Sequence, residues 1–373
     1  MNDAVIPFGE YVVSLAVTRS LGKKDIKTTV VSENKYAMSF FSKYCHEKKI
    51  VENPITPYSD FSKNQIIMPI GEDLIIELAK NLNKYQFTPA FQEYAVLELA
   101  FNKKKLIDRA MELNVPCPET IYIEDDTTFE EKSGKLKYPV VVKPIRSRGG
   151  NGISFVDSSD HLKEIYNDSL KKFGPLLIQE KIPYTERYSV AILMNNEQVM
   201  KRCCVLHAKR FHPIFNGPAS FVETVNKPHL VELGNTLLQS IGYSGIAEVE
   251  FVIDSRNNEP KLMEINPRFW GSLQGAINAG VDFPYLLYQM ILEGDIEKNL
   301  DYKKGIKTRN VIYECQRLRG IIMGHYPNNF KIASLLEFLK FYQDDAYFIF
   351  DIQDMKPFFS VFIDTLDKKF KKK

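Results

Sequence analysis

Residues 246–270 read IAEVEFVIDSRNNEPKLMEINPRFW, and this stretch decides the fold. The run from Ile246 to Asp254 is rich in β-branched and aromatic residues. A polar turn follows from Ser255 to Glu259, and a second run goes from Lys261 to Asn266, which together predict a β-hairpin. Pro267 favours extended geometry at Asn266 and ends the second strand. With the turn centred on Asn257, Glu250 stands opposite Glu264 and Glu248 opposite Asn266, and the period of two puts all four on one face. Val249, Phe251, Ile253, Met263 and Ile265 are expected to point the other way, into a core. Carboxylates facing each other across strands repel. Such a face is either a solvated surface of an antiparallel sheet or a place where a cation sits between the acids. Two carboxylates with an amide oxygen form a hard-oxygen set suited to Mg2+. Arg268, two residues on, is placed to meet an anion such as a phosphate.

The surrounding chain narrows the choice. Its 373 residues allow two or three domains, each with a core. Lys and Arg number 49 against 47 Asp and Glu, a net charge of +2 that argues against a dedicated nucleic-acid binder. The five cysteines, Cys45, Cys117, Cys203, Cys204 and Cys315, show no CxxC spacing, which fits reduced thiols better than a zinc site or a disulfide framework. Residues 1–20 carry no signal-peptide pattern, and no apolar run reaches membrane-spanning length. A soluble, cytoplasmic protein with no membrane or nucleic-acid partner is the expectation.

Short strands alternate with helical patterns through residues 1–100, which predicts a small doubly wound parallel sheet. A helix is expected over Tyr36 to Tyr44. The loop after the first strand, Pro7-Phe8-Gly9-Glu10-Tyr11, lacks the G-x-G-x-x-G dinucleotide fingerprint, and no Walker A sequence occurs. Residues 102–118, NKKKLIDRAMELNVPCP, form a helix that puts Lys103, Lys104 and Lys105 at its start, where the helix dipole disfavours cations. These lysines are either solvated or waiting for an anion. Tyr138 to Pro144 is a strand ending in Lys143, and it runs into the glycine-rich turn Ser147-Arg148-Gly149-Gly150-Asn151-Gly152. Glycines there let the backbone close over a ligand with its amides pointing at phosphate oxygens. Pro175 to Ile182 is a further strand that breaks at Pro183. Lys209 and Arg210, in a long polar connection, are candidate carboxylate or phosphate contacts. The last seventy or so residues carry no chemical motif and are expected to pack against the catalytic body.

The order of these pieces is lysine helix, strand-lysine with glycine loop, Gln179-Glu180-Lys181-Ile182, then Val249-Glu250-Phe251 with Met263-Glu264-Ile265-Asn266-Pro267-Arg268. That order resembles the ATP-grasp superfamily over roughly residues 1–300. Residues 243–294 in particular resemble carbamoyl-phosphate-synthase-like carboligases of the carboxylate–amine ligase type. The resemblance implies a mixed α/β and α+β fold. Residues 1–100 would be a Rossmann-like domain, 101–183 an ATP-grasp N-terminal subdomain with a glycine-loop lid, 184–300 a C-terminal subdomain with the metal site, and 301–373 an extension. It implies ATP with Mg2+ or Mn2+ as cofactors, small-molecule carboxylate and amine substrates, and a homodimer. Lys103 and Lys143 would contact the nucleotide. Ser147, Gly149, Gly150 and Gly152 would cover the triphosphate, and Gln179, Glu180, Lys181 and Ile182 would hold adenine. Glu250, Glu264 and Asn266 would ligate metal, with Arg268 and Lys143 as catalytic cations. The ribose position departs from the pattern: Arg187 occupies the aligned slot where the family carries glutamate, so the preceding Glu186 is the expected ribose contact. The reaction implied is activation of a carboxylate as an acyl phosphate followed by amine attack. The alternatives are an ATP-grasp phosphotransferase and a non-catalytic nucleotide-binding regulator.

Overall fold

The computed structural model describes residues 2–53, 57–123, 129, 132–134, 136–146, 151–214, 217–326, 331–340 and 344–370. The first unit runs β1 (Asp3–Ile6), α1 (Val12–Gly22), β2 (Thr28–Ser32), β3 (Glu47–Ile50), β4 (Gln65–Ile67), α2 (Glu72–Lys80) and β5 (Thr88–Pro89), followed by α3 (Tyr94–Phe101). Its five strands are all parallel in the order β3-β2-β1-β4-β5. β2 is buried along its whole length, as parallel strands covered on both faces must be. The helix expected over Tyr36 to Tyr44 is only a 3-10 turn at Met38–Phe41. The Asn34 side chain accepts from the Tyr36 amide and its carbonyl from the Ala37 amide, so local turn bonds replace helix initiation there.

Next comes α4 (Lys103–Glu112), followed by β6 (Thr120–Tyr122), β7 (Val140–Pro144), β8 (Ser154–Val156), α5 (Leu162–Phe173) and β9 (Leu176–Glu180). These four strands form a separate antiparallel sheet in the order β6-β9-β7-β8. Its core, built on Val140, Val142, Val156, Leu162, Tyr166 and Ile178, is distinct from the main one. A sheet with its own small core can move as a unit.

The third sheet holds β10 (Tyr184–Met194), β11 (Met200–Phe211) and β12 (Ala219–Thr224). After α6 (Pro228–Ser240) it gains β13 (Gly245–Asp254) and β14 (Pro260–Asn266). Then follow α7 (Leu273–Asn278), α8 (Phe283–Glu293), β15 (Lys307–Arg309), α9 (Val311–Ile322), α10 (Lys331–Leu339), β16 (Ala346–Tyr347) and α11 (Lys356–Phe370). The strand order is β14-β13-β10-β11-β12-β15-β16. The segment beyond residue 300 therefore does more than pack: it supplies two strands of the sheet. α6 covers one face, where Gly234 lies against Ile192 and Val249. α7 covers the far part of the other face, with Gly275 against Val222 and Leu206. The near part of that second face, on β10, β13 and β14, carries the acids. No helix among the described residues is long and apolar enough to cross a membrane.

Candidate active site

The hairpin forms with the register that the turn position demands. Glu250 pairs with Glu264 and Glu248 with Asn266. A bulge follows between Glu250 and Phe251, so Phe251 lies opposite Leu262. Leu262 is consequently the fully buried residue, and Met263 is only half-buried. The extra residue re-aims the strand next to the acids, a common use of bulges beside sites.

The acids are not solvated: Glu248 and Glu250 are 5% and 6% exposed. They are held by nitrogen donors. The Asn266 Nδ2 donates to Glu248 Oε2 at 3.1 Å, to Glu250 Oε1 at 3.3 Å and to Glu264 Oε1 at 3.3 Å. Asn266 Oδ1 in turn accepts from Arg268 Nη2 at 2.8 Å. The polar-surface reading of this face is thereby excluded, because buried charge persists only when paired.

Cations arrive from the small sheet and its lead-in helix. Asn102 caps α4 by accepting from the Lys104 and Lys105 amides. Of the three lysines, Lys104 pairs with Asp108 at 2.9 Å and Lys105 with Glu98 at 3.5 Å, while Lys103 is buried. Lys143, at the end of β7, is buried as well. Burial, with the Lys103 charge adding to it and Glu264 opposing, brings its ammonium down to about 8. Burial works against the Glu264 carboxylate, but Lys103, Arg187, Arg268 and Lys143 together outweigh it and hold that carboxyl below its ordinary value. Glu248 moves the other way, raised by burial and by the neighbouring Glu250 charge. The three acids on one face are thus driven apart in proton affinity, as interacting carboxylates in one site are.

Two residues join this site that sequence reasoning did not place there. Glu72, at the start of α2 in the first unit, is buried, which raises its carboxyl, and it feels the charges of Arg268, Lys103 and Glu264. It follows Gly71, whose φ of 82° turns the chain into α2. Arg187, on β10, reaches across to Glu250: its Nε donates to Oε2 at 2.8 Å, and its Nη2 donates to the same oxygen.

The remaining expected residues divide. Gly152 has φ of 76°, and a Cβ there would meet Pro144 Cγ at 2.7 Å, so the turn after the lysine strand needs glycine. Ser147, Gly149 and Gly150 lie outside the described residues. Gln179 is buried and its Nε2 donates to Thr120 Oγ1 at 2.8 Å. The Glu180 carboxylate turns outward, to the Glu119 amide at 3.0 Å and Arg256 at 3.0 Å, leaving its backbone at the hinge. Lys181 lies over the Phe155 ring, and Ile182 is buried. A cavity of about 380 Å³ opens beside these residues, lined by Tyr138, Pro139, Glu180, Lys181 and Pro183 among others. The expected ribose contact Glu186 is not on the acid face. Strand alternation turns it to the opposite side with Tyr188, whose hydroxyl it bonds. Lys209 and Arg210 are likewise engaged elsewhere, with Glu223 at 3.3 Å and Glu314 at 2.7 Å.

No three Asp, Glu, His or Cys side chains among the described residues converge to hold a metal unaided. Glu250, Glu264 and the Asn266 amide oxygen still fit Mg2+ in donor type, since that ion takes one or two carboxylates and completes its shell with water and phosphate oxygens.

Residues 100–272 match the model of an ATP-grasp domain. The chain is 25% identical over 212 residues to the carbamoyl phosphate synthase arginine-specific large chain of Bacillus subtilis, covering 54% of this chain and 20% of that one. It is 27% identical over 206 residues to the D-alanine–D-alanine ligase of Neisseria meningitidis serogroup A, covering 52% and 66%. It therefore spans less than two thirds of either relative. In fold it is similar to the biotin carboxylase domain of the Hydrogenobacter thermophilus 2-oxoglutarate carboxylase, crystallised with MgADP, ADP and bicarbonate. The TM-score is 0.67 at 16% identity over 82% of this chain and 73% of that one. The chain carries an ATP-grasp domain over residues 100–272.

Proposed function

We propose that the protein is an ATP-dependent ligase that activates a substrate carboxylate as an acyl phosphate and passes the acyl group to an amine. The observation that carries this reading is the pairing of buried Glu250 with half-buried Glu264 beside buried Asn266, with the charges of Lys143, Lys103 and Arg268 acting on Glu264. Lys103 and Lys143 would hold the nucleotide phosphates, Glu250, Glu264 and Asn266 the Mg2+ ions, and the Gln179–Ile182 hinge the adenine. Bound Mg2+ supplies charge neutralisation on the phosphate oxygens. Phosphoryl transfer needs positioning and charge stabilisation above all. A substrate carboxylate oxygen attacks the γ-phosphorus as the bond to the β–γ bridging oxygen breaks, releasing ADP. The amine nitrogen then attacks the acyl carbon, loses a proton, and phosphate leaves. Arg268 would stabilise the charge that develops on the transferring group. Glu72, supplied by the first unit and within reach of the charges of Arg268, Lys103 and Glu264, would orient the incoming amine.

The relatives act in the same sense, being ligases, synthases and carboxylases by name. The test is a phosphate-release screen of the full chain with ATP and Mg2+ across a matrix of carboxylic acids and amines. Release that depends on both an acid and an amine supports the ligase. ADP formed with the acid alone, leaving a stable phosphorylated product, would replace it with a phosphotransferase. Absence of turnover across a broad matrix, with nucleotide bound, would point to a regulator.

A further inference from the structure

Both carboxylate oxygens of Glu250 accept hydrogen bonds in this structure. Its Oε1 accepts from Asn266 and its Oε2 accepts twice from the Arg187 guanidinium. The Asn266 Oδ1 is also taken, by Arg268. Two of the three groups that fit a divalent cation, Glu250 and Asn266, are therefore already engaged by protein donors, and the third, Glu264, feels four cations: Lys103, Arg187, Arg268 and Lys143. Arg187 stands out among them. It projects from β10, directly beside β13, and its guanidinium carbon sits 5.5 Å from the Phe211 ring centre. Its side chain retains 29% exposure, so it has room to leave, whereas Glu250 is held in the sheet at 8%.

We propose that Arg187 is a resident counter-cation that occupies the metal side of Glu250 in the nucleotide-free protein and competes with divalent metal for it. Metal then enters efficiently only together with nucleotide, whose phosphates give the displaced guanidinium a new anion. The inference rests on the proposed function above and adds a residue that makes metal loading conditional on nucleotide. The physical ground is simple. A buried carboxylate must be paired, a guanidinium making two bonds to one oxygen pairs it, and a second cation at the same oxygens meets both a blocked acceptor and like charge.

The test uses Mn2+ as probe on the full chain, with free Mn2+ followed by electron paramagnetic resonance. Without nucleotide, Arg187→Met should bind Mn2+ about tenfold or more tightly than the wild type, the scale of one removed like charge at a part-buried site. Arg187→Lys should stay near the wild type. Adding Glu264→Gln to Arg187→Met should abolish the gain, which locates the metal at this face. A thermal melt gives a second reading. Arg187→Met should melt lower than the wild type in EDTA, and Mn2+ should raise its Tm by more than it raises the wild type's. Should Arg187→Met not yield folded protein, Arg187→Gln carries the same comparison. Equal or weaker Mn2+ binding by the neutral variant, or a loss of Tm that Mn2+ does not restore, overturns the proposal and leaves Arg187 a structural ion pair. Mn2+ binding by the wild type in the presence of a non-hydrolysable ATP analogue is the control. Its absence would sink the ATP-site reading itself, while its presence with no Arg187 effect would sink only this inference.

Discussion

At the scale of single residues, the site is a contest between burial and charge. Lys143 is the clearest case. Burial lowers it to about 8, so it is a full cation only below that pH, and a bound triphosphate would restore its charge. Nucleotide binding near pH 8 should therefore take up protons. Calorimetry in buffers of different ionisation enthalpy would show this as a buffer-dependent heat, and affinity should fall as pH rises through about 8. Lys143→Met should remove both effects. Glu72→Gln should leave nucleotide binding intact and lower turnover, raising the KM for the amine more than that for ATP. The hairpin acids were legible in sequence because a five-residue turn and a period of two fix which residues face each other. Arg187 was not placed beside them, because it reaches Glu250 through the pairing of β10 with β13, two strands separated by half a domain of chain. Glu72 was missed for a stronger form of the same reason. It lies 192 residues before Glu264, and only packing of the first unit on the third brings them together. Glu186 lies on the face opposite the acids because strand alternation, not proximity in sequence, decides which way each of two adjacent residues points.

At the scale of elements, two small devices fix the backbone around the proposed nucleotide site. Asn102 caps α4 through the Lys104 and Lys105 amides and so fixes the backbone that carries Lys103. Asn102→Ala should cost about 1 kcal/mol of stability, measurable by urea unfolding, with a parallel loss of nucleotide affinity. Gly152 closes the turn onto β8 with a positive φ and with Pro144 beneath it. Gly152→Ala should weaken ATP binding while leaving the melting of the main core nearly unchanged, since the small sheet has its own apolar cluster. The elements that sequence reasoning found are those with strong local signatures: a lysine-ended strand, a glycine turn, an acid hairpin. β15 and β16 were invisible because strands of three and two residues carry no usable periodicity.

At the scale of the molecule, the segment beyond residue 300 is bolted to the first unit. Arg19 on α1 donates to Asp354 Oδ2 at 2.9 Å, to the Asp354 carbonyl at 2.7 Å and to the Ile349 carbonyl at 2.8 Å. Ser42 Oγ and the Lys43 amide complete the carboxylate's shell. Both side chains are almost fully buried, so Asp354→Ala strands a buried guanidinium and should cost roughly 3–5 kcal/mol, read as a large drop in Tm. This clamp ties the first unit to the chain end that completes the seven-stranded sheet, and the first unit is also where Glu72 enters the site. The central claim, that the acid hairpin and the two lysines form a metal–nucleotide site, is met most directly by calorimetric titration of the full chain with a non-hydrolysable ATP analogue and Mg2+. The account expects saturable binding that is lost in Glu264→Ala and weakened when Mg2+ is removed by EDTA. No binding up to millimolar analogue, or binding indifferent to both Glu264 and Mg2+, would contradict it.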